Sequence, residues 1–188
     1  MATHTQQEAK ATAYFITFTC FKWMHLIEKA QAYAAFYKWF DYLSSIQAKL
    51  LGYVIMPNHF HGIIYLDENC TKSINTIVAN AKRFIAYYIV NAFEESKQEE
   101  ILRELFHSTS EKEKKKGQKH KVFQSSFDAK EILGSDILMV KLDYIHRNPC
   151  QGKWMLAVDY TAFEHSSASY YELAKPNKWI TDYRAIFF

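Results

Sequence analysis

His59 and His61 stand two residues apart in the apolar run HFHGIIYL, residues 59–66. Side chains of a strand alternate between its faces, so both imidazoles project to one side while Phe60 turns to the other. Two imidazoles on one face can share one divalent metal ion, although an isolated pair is as often two ordinary histidines at a hairpin mouth. Two nitrogen ligands do not complete a site, and a third must come from elsewhere. The segment LDYIHRNPC, residues 142–150, offers one. At helical spacing Tyr144 and Asn148 share a face, whereas His146 points elsewhere. A tyrosine beside a metal can attack a phosphorus whose oxygens the metal polarises. Judged alone, Tyr144 is one of 13 tyrosines, and packing is the commoner use of that residue. Asn148, just before Pro149, equally suits a helix end.

The elements that must carry these residues are readable from periodicity. Residues 13–19, AYFITFT, alternate and are β-branched or aromatic, which predicts a strand. From about Leu26 to Leu50 the apolar positions Tyr33, Phe36, Phe40 and Leu43 recur at helical spacing and predict one amphipathic helix. Residues 51–56 and 59–66 form two strands around the turn signal Pro57-Asn58, and so a β-hairpin. Thr71 or Ser73 caps a helix with Ile77, Val78, Ala81, Ile85, Tyr88 and Ile89 inward and with Lys82 and Arg83 outward. Residues 94–120 are charged and predict a helical insertion followed by a mobile basic loop. It runs into KEKKKGQKHK, residues 112–121, in which six of ten positions are lysine. Residues 121–128 predict a short strand, and Ser135 caps a helix over 136–147 that must stop at Asn148-Pro149. The remainder, 150–188, is aromatic and irregular, with Trp154 and Trp179 pinning it to the body. Few strands alternating with helices imply an α+β fold, an antiparallel sheet with helices packed on it.

Composition narrows the classes. In 188 residues, 49% are apolar and 16% aromatic, enough to bury a core and too apolar for a disordered chain. The net charge of +3 does not by itself announce a nucleic-acid partner. Cys20, Cys70 and Cys150 form no CxxC pair, which argues against a disulfide framework and a zinc knuckle. The polar start MATHTQQEAKATAY lacks the apolar stretch of a leader, and no apolar run approaches a membrane span. These features predict a cytoplasmic protein with no membrane partner. The expected organisation is a disordered lead-in at 1–12, one domain at 13–175 with the insertion at about 94–120, and a tail at 176–188.

YVIMPNHFHGIIYL (residues 53–66) resembles the signature hairpin of the single-tyrosine HUH transposases, and LDYIHRNPCQGKW (142–154) resembles their nucleophile helix. VFQSSFDAKEI (122–132) and YTAFEHSSASYYE (160–172) are similar to the strand before that helix and to the C-terminal segment. Of these insertion-sequence-type enzymes, the REP-associated tyrosine transposases are the branch it resembles most. The resemblance implies a ferredoxin- or RRM-like HUH endonuclease fold. It implies Mg²⁺ or Mn²⁺ held by His59, His61 and Asn148, and Tyr144 as the nucleophile. Single-stranded DNA with hairpin-forming palindromes would be cleaved and rejoined through a 5′-phosphotyrosine. Two imidazoles are soft for magnesium, so Mn²⁺ is expected to serve at least as well. It also leaves a homodimer open, since some members act as dimers and others as monomers.

Lys82 and Arg83 are then candidates for backbone phosphates, and Lys114, Lys115 and Lys116 for non-specific attraction to DNA. Three rival readings stand beside this one. A DNA-hairpin-binding protein adopted by the host would keep the fold without transposition. A replication or plasmid-transfer nickase would use the same residues but usually carries extra domains. A metal-dependent hydrolase would need carboxylate ligands, and the nearest, Asp67 and Glu68, lie past the strand's end.

Overall fold

The structure is a computed structural model that describes residues 11–188. The lead-in expected at 1–12 lies, through residue 10, outside the described residues, and Thr12 already belongs to the first strand. Four strands, β1 (Thr12–Thr19), β2 (Ala48–Ile55), β3 (His59–Leu66) and β4 (Asp128–Ile132), form one sheet in the order β2-β3-β1-β4. Every pairing is antiparallel. The helices are α1 (Leu26–Lys29), α2 (Tyr33–Ser45), α3 (Ile74–Glu95), α4 (Glu99–His107), α5 (Glu111–Lys114), α6 (Ser135–Arg147), α7 (Ala168–Leu173) and α8 (Arg184–Phe187). Among the described residues no helix is long and apolar enough to cross a membrane.

Both faces of the sheet are covered, so its central strands read as nearly continuous apolar runs although they are antiparallel. On one face Ile16, Phe18, Tyr53, Phe60 and Ile64 meet Phe36, Phe40 and Leu43 of α2 and Ile77, Ala81 and Ile85 of α3. On the other face Phe15, Leu51, Val54 and Ile63 meet Leu138, Leu142 and Ile145 of α6. A bulge between Leu50 and Gly52 resets the alternation of β2, so that Leu51 and Val54 both turn toward α6. Gly52 lies directly under Leu142, whose methyl carbon occupies the space a Cβ would need. Its missing side chain lets α6 approach the strand closely.

Several elements differ from their sequence-based expectations. The helix expected over 26–50 is α1 and α2, interrupted at Gln31 with φ 48° and reversed at Gln47 with φ 59°. Ala48, Lys49 and Leu50 instead pair with Leu66, Tyr65 and Ile64. The strand expected over 121–128 begins only at Asp128, and residues 121–127 form a loop that buries Val122 and Phe123. Ser135 is the first residue of α6 rather than its cap; Gly134 precedes it and no side chain caps the helix. Ser73 does cap α3, its hydroxyl accepting from the Thr76 amide at 3.2 Å. The insertion is more structured than a mobile loop. Ser110 and Glu113 close a capping box on α5, and Glu113 also binds Ser125 and Lys121.

The chain after α6 seals the free edge of β2. His165 O accepts from Ile55 N at 2.8 Å, Ser167 N donates to Tyr53 O at 3.0 Å, and Thr181 N donates to Leu50 O at 2.9 Å. Trp179 stacks on Tyr37 with ring centroids 4.4 Å apart, the pinning role expected of it.

Candidate active site

The β2–β3 turn sets the first half of the site. Met56 N donates to His59 O at 2.8 Å, closing a two-residue connection through Pro57-Asn58. This turn is buried, and its backbone acceptors are satisfied by neighbours. Pro57 O receives Ile27 N and Glu28 N at the start of α1, and Asn58 O receives Cys20 N. The Asn58 amide nitrogen donates to Trp23 O at 2.8 Å, which fixes the amide's orientation and turns its oxygen toward His59. His59 Nδ1 donates to that oxygen at 2.7 Å. His61 Nδ1 lies 2.7 Å from the Thr17 hydroxyl, and Thr17 is His61's cross-strand partner in the β1–β3 register. Each imidazole is thus held through Nδ1, the second-partner arrangement that aims Nε2 of a ligating histidine at its metal.

The second half comes from α6, whose apolar stripe Leu138, Leu142 and Ile145 holds it against the sheet. That face delivers Asn148 and Tyr144 to the histidine side. Asn148 Oδ1 lies 3.2 Å from His59 Nε2. The Tyr144 ring stands 5.2 Å from that of His61 and 6.1 Å from Phe15, edge-on to both. His59 and His61 have ring centroids 4.7 Å apart. His59, His61 and Asn148 are buried, while Tyr144 is 42% exposed. The tyrosine meets His61 of its own chain.

The electrostatics suit neutral imidazoles. Burial pushes His59 down to about 4, against the Asn148 amide oxygen, which would accept from the protonated ring, and with help from Lys153. Burial pushes His61 down to about 3, with His59 and Lys141 adding to it. At neutral pH His59 therefore carries its one proton on Nδ1. With the Asn148 amide in this orientation, two lone pairs, His59 Nε2 and Asn148 Oδ1, face each other. His61 Nε2 is buried with no hydrogen-bond partner. A buried polar atom left without a partner costs about 1–3 kcal/mol. Two converging lone pairs and a buried ring nitrogen without a partner are what a bound cation would satisfy, so these residues fit a divalent metal. Among the described residues no three His, Cys, Asp or Glu side chains cluster, so a third donor here would have to be the Asn148 amide.

The other candidates lie apart from this group. The Lys82 ammonium does not face solvent as expected: it donates to the carbonyls of Gln124, Ser125 and Ser126 at 2.6, 3.3 and 3.2 Å. Its physical task is to hold the loop before β4, because that loop's carbonyls have no strand partner. Arg83 is exposed on α3, across the sheet from the histidines. Lys114 pairs with Glu111 at 2.8 Å, and Lys115 and Lys116 are exposed in the insertion. Sequence reasoning missed Thr17 and Asn58, which hold the imidazoles. It also missed Lys141 and Lys153, whose charges reach the histidines. Asn58 carried only a turn signal and Thr17 only a strand signal.

No protein-family model matches the chain, and no curated protein does. Among solved structures the fold recurs in that of a REP-associated tyrosine transposase bound to a REP hairpin. The TM-score is 0.58 over 97% of this chain and 93% of that one, at 16% identity. Such a likeness is one of fold, and it agrees with the fold the sequence motifs implied: this chain has the four-stranded antiparallel α+β architecture of a tyrosine transposase.

Proposed function

We propose that this chain is a divalent-metal-dependent strand transferase of single-stranded DNA that acts at hairpin-forming sites through a 5′-phosphotyrosine on Tyr144. The observation that carries this reading is the convergence of two Nδ1-anchored imidazoles, the Asn148 amide oxygen and a solvent-reached tyrosine. The shared fold with a transposase bound to a DNA hairpin supports the substrate class.

His59 Nε2, His61 Nε2 and Asn148 Oδ1 would hold Mg²⁺ or Mn²⁺. When bound, the cation supplies Lewis-acid polarisation of the phosphate oxygens. The remaining chemistry belongs to the chain. Tyr144 Oη attacks the phosphorus, its proton passing to solvent. The phosphorus–O3′ bond breaks, and the departing oxygen takes up a proton as a free 3′-OH. The 5′-phosphate stays on Tyr144 as a phosphodiester. Attack by a 3′-OH of another strand end reverses the exchange and releases the phenol. Phenol leaves more readily than an alkyl alcohol would, so the bond is conserved without a nucleoside triphosphate. Lys141 and Lys153 supply positive charge around the site, and Arg83, Lys114, Lys115 and Lys116 would meet backbone phosphates farther out.

The test uses single strands carrying the hairpins that flank the gene, incubated with Mn²⁺ and resolved on denaturing gels. Wild type is expected to form a covalent adduct that mass spectrometry places on Tyr144. Tyr144→Phe keeps the ring and removes only the oxygen. It should bind DNA as before and lose adduct at least ~10³-fold, the scale of removing a nucleophile. A DNA remnant on another tyrosine, or cleavage by Tyr144→Phe, would overturn the assignment. Binding by wild type without any adduct would leave a hairpin-binding protein of the same fold.

A further inference from the structure

Trp23 is a large apolar side chain that the fold leaves 55% exposed immediately beside the histidine group. Its ring stands 5.8 Å from that of His59 at 69°. A second indole, Trp154, stands 6.0 Å from the same imidazole, with Lys153 5.4 Å over its ring and His25 5.4 Å away. Trp39, by contrast, is buried in the core at 3% exposure, and Trp179 is stacked on Tyr37. Trp23 has no such packing role.

The backbone presents this indole deliberately. Lys22 and Trp23 are consecutive non-glycine residues in the left-handed region, at φ 50° and φ 59°. L-residues visit that region singly and at a cost, so the turn must be held from outside. Trp23 N donates to Cys20 O at 3.1 Å, and the amide of Asn58 donates to Trp23 O at 2.8 Å. Asn58 is also the residue that holds His59 Nδ1. One buried amide therefore fixes the exposed indole and the imidazole relative to each other.

Resting on the reading of the site given above, we propose that Trp23 is the stacking platform for one unpaired nucleobase next to the scissile phosphate, with Lys153 contacting the adjoining backbone phosphate. An indole face takes any base, which suits a single strand and excludes a paired one, whose faces are already stacked. The strand would then be aligned by a base on Trp23 while its phosphate meets the histidines and Tyr144.

The experiment uses the full chain and hairpin-bearing single strands from the gene's flanks, each with 2-aminopurine at one position near the cut. Wild type should quench one position strongly. Trp23→Ala should relieve that quenching and weaken binding by roughly 5- to 150-fold, the range of one lost base–aromatic stack. Trp23→Phe should recover most of both. Unchanged thermal melting would show that the exposed position is not needed for folding. Lys153→Gln should lower the salt slope of binding by about 0.7, the value for one single-strand phosphate. If Trp23→Ala binds and quenches as wild type while Tyr144 still forms its adduct, the stacking platform is wrong and the transferase reading stands. If Trp23-dependent quenching is seen but no adduct forms, the transferase reading fails and the platform stands. If wild type binds no single strand, both fall.

Discussion

Asn58 is a residue whose small amide does two jobs at once. Its nitrogen closes the strained turn at Trp23 and its oxygen fixes the proton of His59. Asn58→Ala should therefore act on the site without touching a ligand atom. Losing a partner of a ligating histidine typically lowers metal affinity 10–100-fold. Titration calorimetry with Mn²⁺ is expected to show that loss in Asn58→Ala. Asn58→Asp, which can still accept from Nδ1 but no longer donates to Trp23 O, should lose less. Equal affinity in all three proteins would mean that His59 needs no orienting partner.

At the scale of elements, the loop before β4 depends on a cation from another layer. Lys82 of α3 binds three successive carbonyls there, and Glu113 at the start of α5 binds Ser125 in the same loop. Lys82→Met leaves those carbonyls short of a donor and should destabilise the fold by about 1–3 kcal/mol, with the salt slope of DNA binding unchanged. Replacing Lys114, Lys115 and Lys116 by Gln should do the opposite, leaving stability within about 0.5 kcal/mol and flattening the slope. Urea melts and salt titrations on the two proteins separate these roles; a flattened slope in Lys82→Met would return that lysine to the DNA. This contrast also marks what is legible in a sequence. The hairpin around Pro57-Asn58, the shared face of His59 and His61, and the helix carrying Tyr144 follow from local period and turn chemistry. The reversals at Gln31 and Gln47 carry no glycine or asparagine to announce them. The strand DAKEI buries only Ile132, so it is a strand because β1 offers it partners rather than by its own composition. Thr17 and Lys82 gain their roles from residues more than 40 positions away, which no local pattern encodes.

At the scale of the whole molecule, the three buried histidines among the described residues make stability depend on acidity. His59 is held at about 4, His61 at about 3, and His146, buried against the Ser167 hydroxyl at 2.9 Å, at about 4. An unfolded imidazole titrates near ~6.5. Below that value the unfolded chain takes up protons that the folded chain refuses. Stability is therefore complete above about pH 6.5 and falls as pH drops toward 4, by up to ~1.4 kcal/mol per pH unit for each histidine. Urea midpoints of metal-free protein at pH 7, 6 and 5 should decline accordingly, and a flat series would contradict the burial.

The strap of residues 165–181 along β2 has a consequence for how the protein is made. β2 and β3 leave the ribosome about a hundred residues before the backbone groups that cover Tyr53 and Ile55 do. Until then the nascent sheet carries an open apolar border, the feature that recruits strands from other chains. His146 on the helix of Tyr144 finds a hydroxyl partner, Ser167, in that same late segment. Synthesis thus closes the aggregation-prone border and locks the helix that carries Tyr144 in one event, so a chain stalled or clipped before residue 165 would be sticky and would leave that helix unsecured.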